Sequence, residues 1–220
     1  HFGTLLAVIV AFWSDLWQML RAVFLFLCRR ELGPREHTYL RLIGLLILAS
    51  VPAAVLGVAL KSYVELLFGS TRAVGVMLAV TGVILAVSGS LGRKGKGLDQ
   101  VTGFDALVIG LGQACALVPG LSRSGTTIAA SLFRGLDRAT AARFSFLMSI
   151  PVILGATVLE LFSVSVTMEL LLPVIVGTLS AAISGYLAIR FLIELLKRGR
   201  LIYFSYYLWV ISALVILVIR

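Results

Sequence analysis

Runs of roughly twenty apolar residues recur along this chain, separated by short loops that carry Lys and Arg. A run of that length can cross the hydrocarbon core of a bilayer, about 30 Å thick, only as a helix, because no water is there to satisfy its backbone groups. Six such spans are expected, at about Thr4–Cys28, Tyr39–Leu60, Ala73–Leu91, Thr140–Phe162, Leu170–Leu196 and Leu201–Val218. The fold class is therefore all-α: a polytopic membrane protein in which residues 1–220 make a single integral membrane domain. With 60% hydrophobic and 13% charged residues, the chain is too apolar for a soluble domain, where about 25% are charged. The net charge of +9 does not point to nucleic acid, since the basic residues are scattered over loops, where they set topology. Cys28 and Cys115 lie far apart in apolar surroundings and are expected to be buried and unpaired.

A seventh apolar run, residues 104–133, contains the helix breakers Pro119 and Gly120. Loop charge says whether it crosses. Arg29, Arg30 and Arg35 follow the first span; Arg93, Lys94 and Lys96 precede the seventh run; Arg134, Arg138 and Arg143 follow it; Lys197, Arg198 and Arg200 precede the last span. The remaining loops hold only Lys61 and Arg72. If the run turns back on itself, twelve basic residues share one face against two on the other, as the positive-inside rule requires. Residues 104–133 are thus predicted to be a re-entrant helical hairpin entering from the cytoplasm, with both chain ends on the far side. Pro52-Ala-Ala-Val-Leu-Gly57 resembles Ser180-Ala-Ala-Ile-Ser-Gly185, and the two copies run in opposite directions under this topology. That pattern suggests an inverted repeat whose first hairpin would lie ahead of His1.

At the hairpin's turn stands Pro119-Gly-Leu-Ser-Arg-Ser-Gly-Thr-Thr127. An arginine at membrane depth is costly unless it is paired or wetted, and no carboxylate is near Arg123 in sequence. Ser122 can cap a helix that begins just after it. The free N–H groups of that helix and the hydroxyls of Ser122, Ser124, Thr126 and Thr127 then meet the guanidinium between Gly120 and Gly125, which makes an anion cradle. The competing reading is a small-residue turn for close helix packing, with Arg123 as a structural ion. Gln113, six residues before Pro119, either lines the site or bonds between helices.

These residues resemble the undecaprenyl-diphosphate phosphatases of the bacitracin-resistance type. Pro119–Thr127 matches that family's P-G-x-S-R-S-G-x-T signature throughout, and Gly110-Leu-Gly-Gln-Ala114, Arg143-Phe-Ser-Phe-Leu-Met-Ser-Ile-Pro151, Gly3-Thr-Leu-Leu-Ala-Val8 and Val51-Pro-Ala-Ala-Val-Leu-Gly57 extend the likeness. The resemblance implies removal of the terminal phosphate from the C55 isoprenyl diphosphate carrier of cell-wall synthesis, with resistance to bacitracin. It implies a bacterial plasma membrane, a site facing the outer side, and a divalent cation, Mg²⁺ or Ca²⁺. It casts Arg123, Ser122 and Thr127 as catalytic residues on the diphosphate, and Gly120, Ser124, Gly125, Thr126 and Gln113 as substrate-binding. Membrane lipids are the other partners, and a homodimer stays open.

The family's first signature, an E-x-x-x-E pair followed by Ser-Ser-Thr-Gly-His, does not occur in residues 1–220. Metal ligands are therefore not expected here, and residues 1–220 alone are expected to bind the lipid diphosphate without hydrolysing it at a meaningful rate. Two further functions compete with the phosphatase: a lipid-phosphate transporter, and a lipid-diphosphate-binding protein without activity. The aromatic residues Tyr203, Tyr206, Tyr207 and Trp209 are expected to form an interface belt.

Overall fold

The computed structural model describes residues 2–92, 94–161 and 168–218, and among them the regular structure is helical. In chain order the helices are α1 (Phe2–Ala11), α2 (Trp13–Leu27), α3 (Pro34–Ala59), α4 (Lys61–Phe68), α5 (Thr71–Ser88), α6 (Gly103–Cys115), α7 (Arg123–Phe133), α8 (Arg138–Leu161), α9 (Met168–Lys197) and α10 (Leu201–Val218). Five described helices are long and apolar enough to cross a membrane, or six if the bent pair α1–α2 is one span. The chain is a multi-pass membrane protein of the expected class. His1, Arg93, the expected span end at Phe162 and the start at Leu170's side chain lie outside the described residues.

The first expected span departs most from the sequence reading. It is broken at Phe12, and α1 and α2 diverge by 82°. The cause is polarity: Ser14, Asp15, Gln18 and Arg21 follow the break, and a continuing helix would carry them into hydrocarbon. Pro52, Pro151 and Pro173 each sit inside a helix that continues through them.

By contact, the chain divides into two compact units. The first comprises residues 1–44 and 146–194. Here α1 lies against α9 through small residues. A Cβ on Gly3 would strike the Thr178 carbonyl and approach Ala181 Cβ to 2.8 Å, and one on Gly185 would come within 3.1 Å of Ala7 Cβ. Such close approach is how apolar helices gain dispersion contacts where lipid removes the hydrophobic drive. Phe12 stacks on Phe146 at 5.6 Å, and the buried Asp15 accepts a hydrogen bond from the Tyr39 hydroxyl at 3.1 Å. Cys28, ending α2, is free but exposed, which corrects the expectation of burial.

The second unit comprises residues 45–145 and 195–220. Its helices α5 and α10 pack tightly, again through glycines. Gly75 faces Ile216 and Gly82 faces the indole of Trp209, each too closely for a side chain. The Trp209 Nε1–H donates to the Ala79 carbonyl at 3.1 Å and the Ser212 hydroxyl to the Gly75 carbonyl at 2.7 Å. Trp209 is thus an inter-helix fastener in the middle of α10, not a belt residue, whereas Tyr203, Tyr206 and Tyr207 are exposed.

The seventh apolar run does turn back. Helices of 13 and 11 residues reach only about 20 Å and 16 Å, short of a bilayer core. They pack on each other, with Gly112 admitting Ala130. Below them the chain closes on itself: Lys96 N–H donates to the Gly135 carbonyl at 2.8 Å, and Asp137 N–H to the Lys96 carbonyl at 3.1 Å.

Candidate active site

Asp105 locks the foot of the hairpin. Thr102 caps α6 and Asp105 returns the bond, a reciprocal cap. The carboxylate, fully buried, also accepts from Lys96 Nζ at 2.9 Å, Arg134 Nε at 2.8 Å and the Thr102 hydroxyl at 2.8 Å. Burial alone would push its pKa up. The Thr102 N–H, Lys96, the Thr102 hydroxyl and Arg134 outweigh that and hold it at about 2. Asp105 therefore stays ionised and joins the two ends of the hairpin.

At the other end, the turn is seated on α5. Gly120 has φ +92°, and a Cβ there would strike the Val74 carbonyl and approach Met77 Cβ to 2.8 Å. Only glycine meets both conditions. The buried Thr81 of α5 reaches into the turn. Its hydroxyl accepts from the Ser122 N–H at 3.1 Å, and its own proton faces the Met77 carbonyl of its helix at 3.0 Å and the Gly120 carbonyl at 3.3 Å.

Ser122 caps α7 as its residue type suggests. Its Oγ accepts from Gly125 N–H at 3.2 Å, and its carbonyl accepts the Thr126 hydroxyl at 2.8 Å. A helix start leaves four N–H groups without helical acceptors. Here Thr81 takes that of Ser122 and Ser122 takes that of Gly125, so among the described residues those of Arg123 and Ser124 remain. A Cβ on Gly125 would sit 3.2 Å from Ser122 and 3.3 Å from Thr81 Cγ2, a tight fit that glycine relieves.

Arg123 opens α7. Among the described residues it forms no ion pair, and its one hydrogen bond runs from Nη1 to the Ser145 carbonyl of α8 at 3.4 Å. A half-buried guanidinium therefore has four of its five N–H groups uncommitted, beside two free amide groups. Ser124 is half-buried and its hydroxyl makes no hydrogen bond among the described residues. Thr126 and Thr127 are turned inward. Thr127 is fully buried, and its hydroxyl meets the Arg123 carbonyl at 2.9 Å and the Ser145 hydroxyl at 2.6 Å. The tip thus brings Gly120, Ser122, Arg123, Ser124 and Gly125 together at the start of α7, with Thr126 and Thr127 turned inward.

Gln113 is 3% exposed on α6, and neither amide atom finds a hydrogen bond among the described residues. Its direction follows from its neighbours. Gly112 faces α7 and Gly110 lies against the Ala49 backbone of α3, so at 100° per residue Gln113 lies between those two directions. Cys115, at the end of α6, is exposed and free, again against the expectation of burial.

Hydroxyls, amides and a guanidinium suit an anion. They do not suit a divalent cation, which asks for carboxylate oxygens. The hairpin's acid, Asp105, is about 15 Å away along α6 and already paired with two cations. No group of three His, Cys, Asp or Glu stands together among the described residues.

Thr81 and Ser145 escaped the sequence reading. Each is a hydroxyl in an apolar span, where most Ser and Thr merely bond their own helix, so the sequence assigned neither a role, although Ser145 falls in the Arg143–Pro151 segment of family likeness.

The fold is that of a multi-pass membrane protein in which a helical hairpin carries a guanidinium, hydroxyls and amide groups at its tip. The family model described as bacitracin resistance protein BacA matches residues 1–214, and the chain belongs to that family. Among its relatives, the undecaprenyl-diphosphatase of Halothermothrix orenii is 40% identical over 220 residues, covering 99% of this chain and 80% of that protein. The undecaprenyl-diphosphatase of Methanobrevibacter smithii is 41% identical over 98% of this chain and 80% of its own length. That of Korarchaeum cryptofilum is 44% identical over 94% and 78% respectively.

Proposed function

We propose that this protein hydrolyses undecaprenyl diphosphate to undecaprenyl phosphate, with residues 1–220 supplying the phosphate-binding part of the site. The observation that carries the reading is Arg123: a half-buried guanidinium without an ion pair among the described residues, at the start of a helix with two free N–H groups. In the reaction the bond between the bridging oxygen and the terminal phosphorus breaks, an oxygen from water takes its place, and inorganic phosphate leaves. Charge builds on the peripheral oxygens during that transfer. The fork of Arg123 holds two of them, and the amides of Arg123 and Ser124 face a third. Ser122 Oγ already accepts from Gly125, so its own proton is free to donate to phosphate. These groups are fixed before the substrate arrives, so little reorganisation is needed as charge develops.

The setting is the plasma membrane with the cradle open to the outer side, where a prenyl tail lies in the bilayer and the diphosphate at the tip. A divalent cation, Mg²⁺ or Ca²⁺, belongs to this reading. The described residues make no cage for it, and no step above runs through it. No observation favours the transport alternative.

The test is phosphate release from a prenyl diphosphate by the purified protein, with and without a chelator. Arg123→Lys is expected to lose most activity although the charge is kept, because an ammonium is a point charge and cannot hold two oxygens in a fork. Near-normal turnover in that variant would reduce Arg123 to a structural ion.

A further inference from the structure

We infer that Ser145 of α8 is a positioning residue for Arg123, and that Thr127 serves the reaction through it. The inference rests on the phosphatase reading but is carried by its own geometry. Arg123 is held at both ends: its guanidinium by the Ser145 backbone, and its carbonyl by Thr127, whose hydroxyl in turn meets Ser145. Its guanidinium donates to the Ser145 carbonyl at 3.4 Å. Its own carbonyl accepts the Thr127 hydroxyl at 2.9 Å, and that hydroxyl lies 2.6 Å from the Ser145 hydroxyl. Thr127 Oγ1 has one proton, so if it donates to Arg123 it must accept from Ser145. This orientation satisfies both hydroxyls with one chain: Ser145 Oγ–H to Thr127 Oγ1–H to the Arg123 carbonyl. Both residues are fully buried, which keeps water from replacing either bond.

An arginine has four rotatable side-chain bonds and would otherwise sweep a wide volume. Fixing its backbone and one Nη narrows the fork to one direction, while the remaining N–H groups stay free for an anion. Thr127 cannot itself touch the diphosphate in this arrangement, since its hydroxyl is enclosed and spent. Its weight in the signature is then explained by what it holds.

The experiment compares Ser145→Ala, Thr127→Val and the double variant, each alone and with Arg123→Lys. Two readouts are taken: kcat and KM for phosphate release from a prenyl diphosphate, and the site-resolved rate at which phenylglyoxal modifies Arg123. Ser145→Ala removes the hydroxyl–hydroxyl bond, and Thr127→Val removes both that bond and the one to the Arg123 carbonyl; kcat is expected to fall about five- to tenfold in the first and at least as far in the second, with little change in KM. The double variant is expected to be no worse than the poorer single one, and Thr127→Ser to recover most of what Thr127→Val loses. Arg123 should react faster with phenylglyoxal in both single variants. With Arg123→Lys in place, Ser145→Ala should cost nothing more. A loss that multiplies fully onto Arg123→Lys, or a wild-type modification rate at Arg123 in both single variants, overturns the inference. If Ser145→Ala does not purify as a folded protein, Thr127→Val breaks the same chain from its other member and decides alone. If the wild-type protein releases no phosphate, the phosphatase reading fails, and the modification rates still decide the role of Ser145.

Discussion

Adding one methyl group to Gly120 tests whether the turn is seated on α5 as described. Two costs arise, and they can be separated. The first is conformational: at φ +92° a side chain crowds the backbone, at about 1–2 kcal/mol. The second is steric. The new Cβ meets the Val74 carbonyl and sits 2.8 Å from Met77 Cβ and 3.0 Å from Val74 Cα. Two of those atoms are helix backbone and cannot rotate away, so α5 or the turn must shift, at about 1–3 kcal/mol. Alanine also stiffens the unfolded chain, which offsets about 0.4–1 kcal/mol. The net loss expected for Gly120→Ala is about 2–4 kcal/mol. Gly135 provides the control: its φ is +80°, yet no atom lies within 4 Å of its would-be Cβ. Gly135→Ala carries only the conformational cost and should lose about 1 kcal/mol or less. Activity should separate the two more widely, because a tip displaced by about 1 Å from Thr81 loses about hundredfold in rate. Thermal unfolding in detergent and phosphate release would be measured side by side. If the two alanine variants unfold within about 0.5 kcal/mol of each other and turn over equally, α5 does not buttress the turn.

Asp105 makes stability depend on acid. Its pKa of about 2 lies below the ordinary 3.8, so its contribution is complete above pH 3.8 and vanishes as pH falls through about 2. Wild type should exceed Asp105→Asn by about 1–2 kcal/mol at pH 6, after screening of the part-exposed Lys96 and Arg134, and the gap should close toward pH 2. A gap that is constant with pH would remove the ionised carboxylate from the clasp. For topology, Lys94→Cys and Ala139→Cys in a background without Cys28 and Cys115 should both resist an impermeant maleimide in intact cells and both react after lysis. Labelling of only one from outside would mean that residues 104–133 cross the membrane. Gln113→Met should raise the melting temperature, since an unsatisfied buried amide costs about 1–3 kcal/mol, and should weaken binding of a prenyl diphosphate. A lower melting temperature would mean that the amide is already satisfied in the free protein.

How much of this was legible beforehand follows from the range of each interaction. Ser122 as cap, Gly120 as the turn and the return of the chain near residue 120 all rest on local rules, and each was visible within a few residues. Loop charge, an additive property, located the hairpin. What the sequence hid is pairing across distance. Thr81 meets Ser122 across 41 positions and Ser145 meets Thr127 across 18, and neither hydroxyl differs in sequence from one that bonds its own helix. Trp209 misled for a related reason. An indole suits a membrane interface and a helix contact alike, and only Gly82 on α5 tells which. The bend after Phe12 was foreshadowed by Asp15 and Arg21, but its sharpness depends on partners such as Phe146 and Tyr39 that no local pattern names.

Mechanically, the hairpin is a cantilever. It is clamped at its foot by Asp105, Lys96 and Arg134, and it carries the arginine fork at its free end about 15 Å away. Over that lever arm a rotation of about 4° at the clamp displaces the fork by about 1 Å, which is the scale on which transfer rates collapse. Residues at the foot of the hairpin, far from any phosphate, therefore share control of the chemistry. Substitutions at Lys96 or Arg134 that leave the protein folded should surface as catalytic defects, and a search for active-site residues by mutation alone would mistake these clamps for members of the site.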